Sequence, residues 1–246
     1  MANKGKYYES QFEEATIELL REAHWQYTLG DDIHRKYTDP LIEEDLRNFL
    51  AVQYKDKNLT TSEMDGIVAN LRNTGGQNDY YALRNAFLLY RDGYDFAYSD
   101  SRDNPFRMEY IDFEHPDHNI FRCVNQFVMG QGRENRRPDI LLFINGIPVC
   151  IIELKNPTKQ NATIRDAHTQ ICTRYMRDIP ALLKYCALAV ISDGAKNALG
   201  TTYTPFEFFY EWKKIENEDK AGKGLDTLRT LIRGALSPER ILEILR

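Results

Sequence analysis

The sequence is short of cysteine, of long apolar runs and of positive charge, and each shortage removes a class of protein. Its four cysteines, Cys123, Cys150, Cys172 and Cys186, are scattered through 246 residues, mostly in apolar settings. They form no disulfide framework and no zinc-type spacing, and suit reduced thiols in a cytoplasmic protein. No stretch approaches the roughly 20 apolar residues of a membrane span, and the opening MANKGKYYES is no apolar signal segment. A net charge of −5 and a pI near 5.6 argue against a domain that coats nucleic acid through a global positive field. There are no repeats and no low-complexity tract. What remains, 42% hydrophobic and 28% charged residues, describes a globular chain, with 1–246 read as a single domain.

The most informative stretch is RPDILLFINGIPVCIIELKNP at 137–157. Two β-branched apolar runs, 140–144 and 147–152, read as strands buried on both faces, and Asn145-Gly146 between them is a hairpin signal. Asp139 opens the first strand, and Glu153 and Lys155 close the second, so folding at the turn brings three charges to one end of an apolar hairpin. Buried charges require a reason. A simple two-residue turn would pair Asp139 with Ile152 and point Glu153 to the other face. A three-residue turn with Gly146 in the left-handed position, or a bend near Pro138, puts all three on one face, so a bulged turn or such a bend is predicted.

In chain order, the pattern predicts a helix over 9–25, with Glu9 and Glu13 one turn apart, then a mostly helical segment over 30–92. Within it, 41–54, 60–72 and 80–90 read as helices, and Gly93 as a stop. Alternation over 107–113 and a strand over 121–128 lead into the hairpin. Helix 162–177 and a buried strand over 186–191, closed by Ser192-Asp193-Gly194, follow it. Segments 205–214, 225–236 and 238–246 read as C-terminal helices. The core order is helix, three strands, helix, strand, implying an α/β fold with a mixed central sheet over 107–194 flanked by helices and a helical elaboration at 30–92.

Basic residues cluster around the hairpin, with Arg133, Arg136 and Arg137 before it and Lys155, Lys159, Arg165, Arg174 and Arg177 after it. Each is either a solvated side chain or part of a contact surface. His115 and His118 are a candidate metal clasp without an evident partner ligand in their loop. Ser192 has no histidine partner and reads as a turn residue. Phe206, Phe208, Phe209, Tyr210 and Trp212 are candidates for stacking on bases, or for core packing. Glu211-x-Lys213 and Glu218-x-Lys220 share the acidic-x-Lys spacing, but in polar surroundings where surface ion pairs are expected.

Arg137-Pro138-Asp139 followed by Glu153-x-Lys155 at the end of the next strand resembles the PD-(D/E)xK nuclease motif, in the α-βββ-α-β order of that superfamily. NQF at 125–127, RYMRDIP at 174–180, ISDG at 191–194, ESQFEEATIELL near the start and FEFFYEWK at 206–213 narrow the resemblance. They look like the N-terminal endonuclease domain of the type I restriction enzyme R subunit, from about residue 9 onward. The resemblance implies a restriction-endonuclease-like fold and a magnesium-dependent endonuclease acting on double-stranded DNA.

It implies roles too. Asp139 and Glu153 would be the Mg²⁺ ligands, with the Leu154 main-chain carbonyl as a third and Glu13 completing the set directly or through water. Lys155 would be the third catalytic residue. The family carries a Q-x-x-x-Y element on the next helix, for which Gln170 and Tyr175 are one residue too far apart; five helical positions are expected to turn them away from each other. Arg137, Gln170, Arg174 and Tyr175 are candidates for contacting DNA or supporting the site. Family members continue into ATP-driven motor domains, yet no G-x-x-x-x-G-K-[ST] loop is present. The chain is therefore expected to be the N-terminal part of a larger subunit, with 205–246 leading to those motor domains. Its expected partners are methyltransferase (M) and specificity (S) subunits, with ATP and S-adenosylmethionine used elsewhere in the complex. The alternatives are another PD-(D/E)xK nuclease, in DNA repair or recombination, and a catalytically silent DNA-binding or assembly module of the same fold.

Overall fold

The computed structural model describes residues 2–100, 103–130, 135–155, 163–215, 222 and 224–246, with the side chains of the first helix from Ser10 onward. In chain order it contains α1 (Ala2–Glu22), β1 (Gln26–Leu29), α2 (Glu43–Gln53), α3 (Thr61–Asn73) and α4 (Asp79–Asp92). Strands β2 (Tyr94–Phe96), β3 (Phe106–Met108), β4 (Phe121–Asn125), β5 (Ile140–Ile144) and β6 (Ile147–Leu154) follow. Then come α5 (Ile164–Thr169), β7 (Leu188–Ser192), β8 (Asn197–Gly200), and two C-terminal helices at Leu225–Leu231 and Pro238–Leu245. Six strands form one mixed sheet in the order β1-β4-β5-β6-β7-β8, and β2 and β3 form a separate ribbon. The expected core order survives as α1, β4, β5, β6, α5, β7. The two edge strands, β1 and β8, were not predicted: each is only four residues long, and β1 is largely exposed.

Every residue of β5 and β6 is buried, because helices cover both faces of the sheet. On one face α1 and the inserted helices pack Leu20, Leu46, Leu50 and Leu71 against Ile140, Leu142, Val149 and Ile152. On the other, α5 and the residues after it pack Ile164, Ala167, Ile171 and Leu182 against Leu141, Phe143 and Ile151. Each such side chain withdrawn from water contributes about 1.5–3 kcal/mol, offset largely by chain entropy. The insertion is tied on by polar contacts as well. Arg122 of β4 grips Asp45 of α2 through two short bonds of 2.6 and 2.7 Å, and Ile42 N donates to Gly146 O at the hairpin turn. Thr60 starts α3 with a full capping box, and Gly93, at φ 68, ends α4.

The hairpin turn differs from expectation. Ile144 pairs with Ile147, so the loop is the plain two-residue Asn145-Gly146 turn, with both residues left-handed at φ 51 and 75. Pairing then shifts within the strand. Phe143 faces Pro148, but Leu142 faces Cys150, leaving Val149 unpaired as a bulge. Val149 and the next residue, Cys150, both join the core on the α1 side, which strict alternation forbids. The sequence signal was Pro148, since a proline inside a central strand cannot donate to the ladder and belongs at a bulge.

Segment 205–214 is not a helix. Beyond a short turn at Phe206–Phe208 the chain runs extended, and Tyr210 exchanges both main-chain hydrogen bonds with Leu199 of β8. Aromatic residues with strand preference, next to an open sheet edge, pair with it in place of forming their own helix.

Gly146→Ala is expected to destabilise by more than about 1 kcal/mol, since its φ is 75 and a Cβ would lie 2.1 Å from Ile42 O. Gly66→Ala, within α3 with open space around it, is expected to stabilise by about 0.4–1 kcal/mol. Chemical denaturation of both variants checks the opposite signs.

Candidate functional site

The Val149 bulge decides which side chains meet at the far end of the hairpin. With the shifted register Ile140 faces Ile152, so Asp139 lies across from Glu153, on the α5 side of the sheet. Asp139 Oδ2 accepts the Leu154 N–H at 2.7 Å, which locks the two strand ends together. This is the Leu154 atom that the structure brings to Asp139. The expected convergence of Asp139, Glu153 and Lys155 is present, reached through a bulge in the strand and not in the turn.

Glu153 is 1% exposed. Its Oε1 accepts from Lys155 Nζ at 2.8 Å, while Oε2 is buried without a hydrogen-bond partner. Burial first, and the neighbouring charge of Asp139 second, push the Glu153 carboxyl up to about 8, with Lys155 opposing them. A buried carboxylate oxygen without a donor is costly to a fold, and a bound cation is one way to satisfy it. Two carboxylates on adjacent strand ends are also the hard oxygen donors that Mg²⁺ takes, so the residues present fit such an ion.

Lys155 is held from three directions. Its main-chain N–H donates to Ser192 O of β7 at 2.7 Å, and its Nζ bridges Glu153 and Gln170 Oε1, the latter at 2.7 Å. Gln170 Nε2 in turn donates to the Tyr175 hydroxyl at 2.7 Å, and that hydroxyl donates to Arg137 O at 3.4 Å. Burial, reinforced by the charge of Glu153, raises the Tyr175 phenol, which keeps its proton available as a donor.

The expectation that Gln170 and Tyr175 would be turned apart is therefore overturned. Residues Gln170–Tyr175 form a π-helical segment continuous with α5. A π turn accommodates one extra residue, so positions five apart share a face as positions four apart do in an α-helix. Ile171 and Tyr175 face the core, and Thr173 and Arg174 face solvent.

Glu13 reaches the same end of the sheet from the opposite face. Its Oε1 accepts from Asn125 Nδ2 at 2.8 Å and Gln126 Nε2 at 2.9 Å, at the end of β4, where Asn125 pairs with Ile140. Asn125 and Gln126 thus hold Glu13, a role that sequence reasoning missed although NQF was noted. Of the basic residues, Arg136 and Arg177 both bond to Asp178, at 2.7 and 2.6 Å, and Arg165 lies over the Phe206 ring. Arg137 and Arg174 are exposed, while Arg133 and Lys159 lie outside the described residues. Ser192 and Asp193 serve the turn, Asp193 Oδ1 accepting from the N–H groups of Ala195 and Lys196.

Two measurements follow from this geometry. Glu153 has a raised folded-state pKa, so its protonated form supports the fold: that contribution is complete below about 4.5 and is lost as pH rises through about 8. In EDTA, the Tm gain of Glu153→Gln over the parent should be larger at pH 9 than at pH 5, and an equal gain at both would contradict the burial account. Separately, deleting exposed Thr173 should convert the π segment to α-helix while keeping the Gln–Tyr contact, with only a small change in Tm by calorimetry.

Comparison with known proteins gives a consistent result. The family described as type I restriction enzyme R protein N terminus matches residues 6–208. The type I restriction enzyme HindI endonuclease subunit of Haemophilus influenzae is 29% identical over 97% of this chain and 23% of that protein. The putative type I restriction enzyme MjaIXP endonuclease subunit of Methanocaldococcus jannaschii is 28% identical over 95% of this chain and 24% of its own length. The chain thus spans about a quarter of these relatives. With the match extending through α1, the bulged hairpin, the π segment and the sheet, the chain belongs to the type I restriction enzyme R protein N-terminal family.

Proposed function

We propose that this chain is the Mg²⁺-dependent endonuclease region of a type I restriction enzyme R subunit, hydrolysing phosphodiester bonds of double-stranded DNA. The observation that carries the reading is the buried Glu153 carboxylate, with one oxygen unsatisfied, set across from Asp139 and bonded to Lys155. A purely structural ion pair gains nothing from a second acid beside it.

Asp139 and Glu153 would hold the metal, with the Leu154 carbonyl as a further donor and Glu13, held by Asn125 and Gln126 on the other face, completing the set through water. When bound, the ion supplies Lewis acidity to the phosphate and a more acidic water. The chain's own groups do the rest. Lys155 Nζ orients the attacking water and offsets charge growing on the phosphate oxygens, the two needs of phosphodiester hydrolysis. Gln170 and Tyr175 position that amine, because a lysine on a flexible four-carbon stem places its charge only where partners fix it. Arg137 and Arg174, exposed at the site's rim, would contact the DNA backbone, which carries no sequence information. Sequence choice would then come from a specificity subunit, protection from a methyltransferase subunit that uses S-adenosylmethionine, and ATP-driven motion from motor domains of the same subunit.

Nicking and linearisation of plasmid by the assembled enzyme tests this. Asp139→Ala and Lys155→Ala should each lower cleavage by at least about a thousandfold with ATP hydrolysis retained, and Tyr175→Phe should lower it less. Undiminished cleavage by the first two variants would overturn the reading.

A further inference from the structure

A second cluster of ligand-type side chains lies at the opposite end of the hairpin. Asp112, His115 and His118 each place a ligand atom within 4.8 Å of the others. Asp112 Oδ2 faces His115 Nδ1 at 3.3 Å and His118 Nδ1 at 3.0 Å, and the two imidazoles stack with centroids 4.8 Å apart. The cluster is joined to the Asn145 turn through Asn119, which accepts from Asn145 Nδ2 at 2.8 Å. Since Asp139 precedes β5 and Asn145 follows it, the two sites are separated by the strand's length, roughly 17 Å.

We propose that Asp112, His115 and His118 bind a divalent transition-metal ion of the zinc class, distinct from the ion proposed at Asp139 and Glu153. The two spacings to Asp112 match the chemistry. With metal–ligand bonds of about 2.0–2.2 Å, neighbouring donors of a four- to six-coordinate ion stand roughly 2.9–3.4 Å apart, which brackets both Asp112–histidine distances. Two imidazoles and one carboxylate are a borderline donor set suited to Zn²⁺, Co²⁺ or Ni²⁺ and poorly suited to Mg²⁺.

The carboxylate is organised in advance. The Asp112 side chain is 6% exposed. Its Oδ1 accepts the N–H groups of Glu114 and His115, its Oδ2 accepts from Gln53 Nε2 at 3.1 Å, and Asn119 clamps its main chain from both sides. Such outer contacts orient metal ligands and tune their basicity. The histidines, by contrast, are 63% and 48% exposed, so an ion would enter from solvent and retain water at its open positions. One Asp112 oxygen aimed at by two ring nitrogens and an amide is crowded with donors; a cation replacing the two ring protons satisfies all three side chains at once. In sequence the ligands are three residues apart each time, D-x-x-H-x-x-H, and Pro116 starts the short turn that gathers them.

The test uses the untagged chain carrying Asp139→Asn and Glu153→Gln, which removes the other carboxylates from account. Dialysed against micromolar Zn²⁺ and analysed for metal, it should retain about one equivalent, and Co²⁺ in its place should give a visible absorption band. His115→Ala/His118→Ala in the same background should weaken Zn²⁺ binding at least tenfold and abolish the Zn²⁺-dependent rise in Tm; both rings are largely exposed, so the variant should fold. Unchanged zinc retention in the double-histidine variant, or no retained zinc in the parent, would overturn the proposal. Asp112→Asn is unsuited to this purpose, because it disturbs the turn as well as the ligand.

Discussion

Pro148 cannot donate to a strand ladder, and β6 lies between β5 and β7 in the middle of the sheet, so the chain resolves the conflict by leaving Val149 unpaired. The rest of the proposed site depends on this one displacement. Before the bulge the register is the one set by the two-residue Asn-Gly turn. After it every side chain of β6 has exchanged faces relative to that register, so Glu153 turns to the same side as Asp139. A strand has only two faces, and a single residue of slip is the difference between an acidic pair and two unrelated acids.

The electrostatics of that pair work against the isolated fold. Glu153 is desolvated, stands across from another acid and leaves one oxygen unsatisfied, and its carboxyl is displaced to about 8 as a result. Proteins hold such arrangements where the surrounding packing over-determines them. Here the over-determination is visible: both strands are wholly buried, Leu154 N–H pins Asp139, and Ser192 pins the Lys155 main chain. The apolar core on both sides of the sheet supplies the stability against which the buried Glu153 is set.

The same economy operates in the helix behind the site. An additional residue between Gln170 and Tyr175 would send the pair in different directions on a regular helix, and the π segment absorbs it locally. The hydrogen-bonded chain from Glu153 through Lys155 and Gln170 to Tyr175 is continuous because of that local widening. Spacing in sequence is therefore a weaker constraint on the site than contact in space. The Asp112 cluster shows the complementary case, in which the histidine pair was visible in the sequence and its carboxylate partner only once a short turn gathers the three.

Much was legible from the residues. Apolar runs bounded by an Asn-Gly turn identified the central hairpin, the charges at its ends marked Asp139, Glu153 and Lys155 as candidates, and helical periodicity with a glycine stop after α4 marked α3 and α4 closely. Such signals are local, and local chemistry is what a sequence states directly. The edge strands, the extended path of 205–214, the position of the bulge, the engagement of Glu13 by Asn125 and Gln126, and the reunion of Gln170 with Tyr175 were settled only in three dimensions. Each depends on a partner distant in the chain or on a departure from regular geometry, and neither has a fixed periodicity to read. The sequence by itself determined which residues are candidates for the chemistry; the tertiary structure decided which of them face one another, because pairing register and helical phase are properties of packed elements and not of residues taken singly.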